Sequence, residues 1–75
     1  MTKQHSNNSI RLKVGNAIKQ LRAENKMSQR DLAEVAHITN SNIANIELGK
    51  YSVGLDVLSR ILDALNCDLN IEKRK

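Results

Sequence analysis

Residues 28 to 50, SQRDLAEVAHITNSNIANIELGK, decide how this 75-residue chain folds. Ser28 followed three residues later by Asp31 has the spacing of a capping box, in which each side chain satisfies a backbone donor left free at a helix start. A helix therefore begins at Gln29 and runs to about Ala36, with Leu32, Ala33, Val35 and Ala36 as its buried stripe. Thr39 offers a second N-cap, so the chain must turn across 36–38. The helix that follows, at about 40 to 48, ends at Gly49, a residue that readily leaves helical geometry.

At about 100° per residue, Ile43 and Ile46 define the inward side of this second helix. Ser41, Ala44 and Asn45 then point away from the core, and Asn40 flanks them in the first turn. That outward face carries short amides, a hydroxyl and a methyl, and no charge. A helix that merely meets water usually displays Lys and Glu, which are also better helix formers. Side chains of this kind suit base edges in a DNA groove: Asn pairs bidentately with adenine, Ser serves several bases, and an Ala methyl fits a thymine methyl. The N-terminal residues of a recognition helix are the ones presented to the major groove.

With Gln29, Leu32-Ala33, Ile38-Thr39, Ile43, Ile46, Glu47 and Gly49-Lys50 in place, the segment resembles the helix-turn-helix of the phage repressor and Cro class, the Xre-type bacterial regulators. The resemblance extends from about Val14 to Leu65. It implies an all-α fold, a small helical bundle of the lambda-repressor-like DNA-binding type. It also implies that Asn40, Ser41, Ala44 and Asn45 read bases, and that Ser28, Gln29, Asn42, Lys50 and Tyr51 contact phosphates. Gln29 would in addition brace the recognition helix, at a helix start where free amides and the dipole favour an anion. Lys50 is equally a favourable cation near a helix C-terminus. Arg22 and Glu47 match a partly buried ion pair that locks the first helix to the recognition helix in many family members, a scaffold role.

The chain departs from the family pattern at three places. His37 stands in the turn where the family usually has Gly, a position that often needs positive φ, which His tolerates better than most residues. Val53 replaces a usual Pro in the loop after Lys50, and the chain has no proline at all. Near the C-terminus Cys67, Leu69 and Ile71 alternate with Asp68, Asn70 and Glu72, which is the period of a strand rather than of a fifth helix. A lone strand needs a partner, and the economical one is the same segment of a second subunit across a twofold axis. That arrangement resembles the strand-dimerised, antitoxin-like branch of the family and makes Cys67, Leu69 and Ile71 the expected dimer interface.

Around this centre, residues 1–8 read as a flexible N-terminal arm, 9–66 as the DNA-binding domain, 67–72 as the dimerisation strand and 73–75 as a basic tail. Ile10 to Asn25 form the first helix, capped by Ser9, and Leu55 to about Leu65 the last, capped by Gly54 with Asp56 in its first turn. With Tyr51 as the lone aromatic, the core must be aliphatic: Val14, Ala17, Ile18 and Leu21, the motif residues, then Leu58, Ile61, Leu62 and Leu65. A chain this short buries only about 60% of its unfolded surface, so association of subunits would help to stabilise it.

Net charge is +4, and its distribution matters more than its size. Residues 1–54 carry eight basic against four acidic side chains, whereas residues 55–75 balance four against four. The excess lies with the motif, as phosphate neutralisation requires. A single cysteine excludes an intramolecular disulfide and fits a reducing cytoplasm, and His5, His37 and Cys67 lack metal-ligand spacing. The apolar runs are too short to span a membrane, and MTKQHSNNS lacks the apolar stretch of a signal peptide. No nucleophile with a base, phosphate loop or paired acids is present, so neither an enzyme nor a cofactor is expected.

The expected function is sequence-specific binding of double-stranded DNA by a homodimeric cytoplasmic repressor that reads a palindromic operator. The alternative is an antitoxin that represses its own operon and binds a toxin protein, for which the C-terminal strand and the apolar Leu48 and Val57 would serve. A controller protein of a restriction system is a further member of the same class.

Overall fold

The computed structural model describes residues 7–50 and 52–74. Among them are four helices, α1 (Asn7–Glu24), α2 (Gln29–Ala36), α3 (Asn40–Glu47) and α4 (Leu55–Ala64). The α2 start is the expected capping box: the Ser28 hydroxyl accepts the Asp31 N–H at 3.0 Å, and the Asp31 carboxylate accepts the Ser28 N–H at 2.9 Å. Thr39 caps α3 by accepting the Asn42 N–H at 3.1 Å. Gly54 precedes α4 in extended conformation and supplies no side-chain cap. Helix α1 starts three residues earlier than expected, so Asn7 to Ser9 belong to it and Ser9 is not its cap. The apolar period begins only at Ile10, and periodicity cannot register a polar first turn. The remaining arm residues, 1–6, lie outside the described residues.

All four helices end in the same way. A residue with left-handed φ follows each one, Lys26 (59°), His37 (61°), Gly49 (72°) and Asn66 (58°). In each case the next N–H reaches back five residues: Met27 to Arg22, Ile38 to Ala33, Lys50 to Asn45 and Cys67 to Leu62, all at 2.9 or 3.0 Å. This is the Schellman closure, which satisfies carbonyls at a helix end and reverses the chain. Only Gly49 has the residue type that adopts this conformation without steric cost.

The turns fold α3 against both α1 and α2, and α4 against α2. Ile18, Leu32, Ala33, Ala36, Ile43, Ile46, Ile61 and Leu65 form the buried core, with Val14, Leu21, Met27, Ile38, Leu58 and others packed partly around it. Each fully buried Ile or Leu contributes about 2 kcal/mol relative to exposure. Three expected core members are not in it: Ala17 is exposed, Val35 is 55% exposed, and Leu62 is half-buried along a surface groove. On α2, Leu32, Ala33 and Ala36 span about 100° of the helix surface, and Val35 falls some 60° beyond the edge of that arc. Val57, expected as a spare apolar position, is half-buried against the core.

The expected C-terminal strand is absent. After Leu65 closes α4 and Cys67 completes the turn, the residues up to 74 have no regular structure. A β-strand is defined by hydrogen bonds to a neighbour, and the described residues contain no other strand to supply them. Alternation of apolar and polar residues is therefore real in the sequence but makes no ladder within one chain. Leu69 and Ile71 remain 61% and 85% exposed, while Cys67 packs partly against the core.

Candidate nucleic-acid interface

Helix α3 is positioned by a charged cluster at the junction of α1, α2 and α3. Arg22 Nε lies 2.7 Å from Glu47 Oε2, and its Nη2 donates to Glu47 Oε1 at 3.0 Å, so the guanidinium grips the carboxylate with two parallel bonds. Its Nη1 donates to the Met27 carbonyl at 2.8 Å, tying the same side chain to the turn before α2. Glu47 is 5% exposed and is the buried charged residue of the described structure. Burial pushes its carboxyl pKa upward. Hydrogen bonds from Arg22 and Gln29, with the positive charges of Arg22 and Lys19, outweigh that and hold it below the ordinary glutamate value. The hydrogen bond to Glu47 raises the Arg22 pKa in turn, against a smaller opposing effect of burial.

Gln29 completes this cluster, donating from Nε2 to Glu47 Oε1 at 3.0 Å. Its amide nitrogen is thus turned inward, and one amide hydrogen, the carbonyl oxygen and the backbone remain for other partners. The phase of α2 carries the signal: Gln29 lies one turn before Leu32 and Ala33, on the core side of the helix.

Gly15 brings α1 close enough for the bridge to form. A Cβ at this position would fall on the carbonyl oxygen of Ile46 and 2.7 Å from that of Glu47. The end of α3 therefore rests directly on the α1 backbone. Sequence reasoning passed over Gly15, although a glycine inside a long helix is itself a sign of close approach.

Ile43 (0% exposed) and Ile46 are buried, which fixes the rotation of α3. Asn40, Ser41 and Asn42 are exposed at its N-terminal end, and Ala44 and Asn45 are half-exposed one turn later. Lys50 is exposed beyond Gly49, and Ser28 is exposed at the start of α2. Tyr51 lies outside the described residues. The structure thus brings the α2 start, the outward side of α3 and Lys50 into one neighbourhood. Cys67, Leu69 and Ile71 lie apart from it, beyond the end of α4. Cys67 donates its thiol to the Leu65 carbonyl at 3.3 Å.

Two short helices joined by a left-handed turn, the second side-chain-capped and clamped to a preceding helix by an arginine–glutamate bridge, make a helix-turn-helix regulator domain. The family model described as helix-turn-helix, HTH_3, matches residues 18–71, and the chain belongs to this family of Xre and Cro/C1-type transcriptional regulators. It is 37% identical over 57 residues to the immunity repressor protein of Bacillus phage phi105, covering 76% of this chain and 40% of that protein. It is 34% identical over 61 residues to the ImmF control region 10 kDa protein of the same phage, covering 81% of this chain and 68% of that one. Among solved structures, the restriction-modification controller protein C.AhdI from Aeromonas hydrophila superposes with a TM-score of 0.78 at 25% identity, over 80% of this chain and 91% of that one. A chain of the HipA-HipB-O2-O3 complex superposes with a TM-score of 0.74, also at 25% identity, over the full length of both.

Proposed function

We propose that this protein is a dimeric repressor that binds a palindromic double-stranded DNA site through the major groove. The observation that carries this reading is the outward side of α3, where Asn40, Ser41, Ala44 and Asn45 present no charge while Ile43 and Ile46 are buried behind them. Asn40 and Asn45 supply paired donors and acceptors for base edges, Ser41 an adaptable hydroxyl and Ala44 a methyl. Ser28, Gln29, Asn42, Lys50 and Tyr51 flank that face in the sequence and in the motif, and they take the role of holding phosphates. Gln29 does so through its second amide hydrogen or its backbone N–H, because one amide hydrogen is given to Glu47. The similarity to a phage immunity repressor supports repression by occlusion in the cytoplasm.

Selection of bound duplexes from a random pool tests the reading. A site with dyad symmetry is expected, with half-sites about 34 Å apart. Ser41→Ala or Asn45→Ala should relax preference at defined positions by about 1–3 kcal/mol, whereas Lys50→Ala should weaken every sequence alike and flatten the salt dependence. A pool that returns no preferred sequence would overturn sequence-specific binding.

The second subunit has a surface to meet. Leu55 is 77% exposed and borders two shallow grooves, one shared with Ile10, Val14 and Val53, the other with Cys67 and Leu69. This apolar surface runs from the start of α1 across α4 to the tail, and none of the residues lining it belongs to α3. A second reading, an antitoxin that holds a toxin protein on that same surface, draws on the likeness to a chain from a complex with a different protein. Sedimentation and co-purification separate the two: a homodimer without a second chain supports the repressor, and a stoichiometric foreign chain supports the antitoxin.

A further inference from the structure

We propose that Leu48 is a further specificity-determining residue, which together with Ala44 reads the 5-methyl group of a thymine in the major groove. The inference rests on the DNA-binding reading and assigns to that surface a residue the motif does not name. The Leu48 N–H donates to the Ala44 carbonyl at 3.1 Å, so Leu48 continues α3 as its last turn and its side chain projects from the helix surface. At about 100° per residue it falls within about 20° of Ser41 and between the directions of Ala44 and Asn45, at the centre of the outward face. It is 59% exposed, a large apolar side chain held in water where a solvated helix end would favour a cation.

The surroundings of Leu48 form an apolar notch rather than an isolated contact. Leu12 of α1 lies over Gly49, where a Cβ would meet Leu12 Cδ2 at 2.9 Å, and Leu12, Ala44 and Leu48 line one cleft between α1 and α3. Lys19 and Gln29 line the polar side of that cleft, and Lys50 follows two residues on. Cations and an amide beside an apolar notch match a duplex, in which the thymine methyl lies in the groove beneath the phosphates. Leu48 is about 10 Å along the helix axis from Ser41, or roughly three base-pair steps, so both can engage one half-site. A toxin-binding role would instead place Leu48 with the exposed apolar side chains of α4 and the tail, and α4 packs against α2 rather than α3.

The test uses the full chain and the duplex that random selection returns, measured by titration with each thymine of a half-site replaced in turn by uracil, which removes only the methyl group. Wild-type protein should lose about fourfold in affinity at one thymine. Leu48→Ala should bind the thymine duplex about fourfold more weakly and lose nothing further at that uracil, whereas Leu48→Met should retain the uracil effect. Equal binding of wild-type protein to all thymine and uracil duplexes overturns the proposal. So does a Leu48→Ala variant that keeps the full uracil penalty, or a selected half-site that contains no thymine. These outcomes leave sequence-specific binding standing. Failure to select any duplex removes that reading, and the role of Leu48 with it.

Discussion

The segment 28–50 and the segment 55–74 have similar lengths, and the second is the richer in apolar residues, yet the first is closed within the fold and the second is open. In the first, both helix starts are capped by side chains, both ends are closed by backbone turns, and the buried Glu47 carboxylate accepts three side-chain hydrogen bonds. In the second, α4 begins without a side-chain cap, Leu55, Leu69 and Ile71 face solvent, and the residues after 67 make no regular structure. Where helix ends and a buried charge have partners within the fold, the chain specifies its own geometry. An apolar pattern without a partner states a requirement that a single chain does not meet.

The largest test of this contrast is Glu47→Ala. It strands the Arg22 guanidinium beside the core, and a stability loss on the order of 3 kcal/mol is expected, read as a fall of roughly 10–20 °C in melting temperature. An unchanged melting temperature would remove the bridge from the account. The same carboxylate sets a pH dependence. Because Glu47 binds its proton less tightly in the folded chain than when unfolded, its contribution is complete above the ordinary glutamate range and is lost as pH falls through its depressed folded value. Glu47→Gln should flatten that acid limb of a denaturation series, and a parallel limb would contradict the assignment.

Next in size is Gly15→Ala, expected to cost about 2 kcal/mol because its methyl meets the carbonyls of Ile46 and Glu47 rather than a side chain that can move. Chemical denaturation measures it, and a neutral result would mean that α1 and α3 do not approach so closely. His37→Gly should act in the opposite direction, raising stability by about 1 kcal/mol because the left-handed turn at φ 61° then carries no Cβ. Asn66→Gly should gain less, since Asn tolerates this conformation better. The smallest effect on the folded monomer is expected from Leu69→Ser combined with Ile71→Ser, within about 0.5 kcal/mol. The same pair should nonetheless abolish self-association in sedimentation. A dimer that survives it would move the subunit contact elsewhere.

What was legible in the sequence follows the same division. Ser28 with Asp31, Thr39 and Gly49 are signals that act within four residues, and they located α2, α3 and the turn between them. The phase of Ile43 and Ile46 gave the rotation of α3, since both are buried. Polar residues beyond the apolar period hid the true start of α1, whereas the bracing role that the family resemblance implies for Gln29 is met by its hydrogen bond to Glu47. Leu48 reads as a spare apolar residue because the outward face was sought toward the N-terminal end of α3, whereas the helix angle continues that face to Leu48. The strand expected at 67–72 shows the limit of a period of two: alternation fixes which side chains share a face, but a strand exists only when another backbone pairs with it.

The claim on which the account depends is that the outward side of α3 meets DNA. Amide chemical-shift mapping of the labelled protein, titrated with the duplex it selects, tests this residue by residue. The largest changes are expected at Ser28, Gln29 and Asn40 to Lys50, with Leu55 to Ala64 nearly still apart from effects of dimer closure. Changes concentrated on Leu55 to Ile71, with Asn40 to Leu48 unmoved, would contradict it.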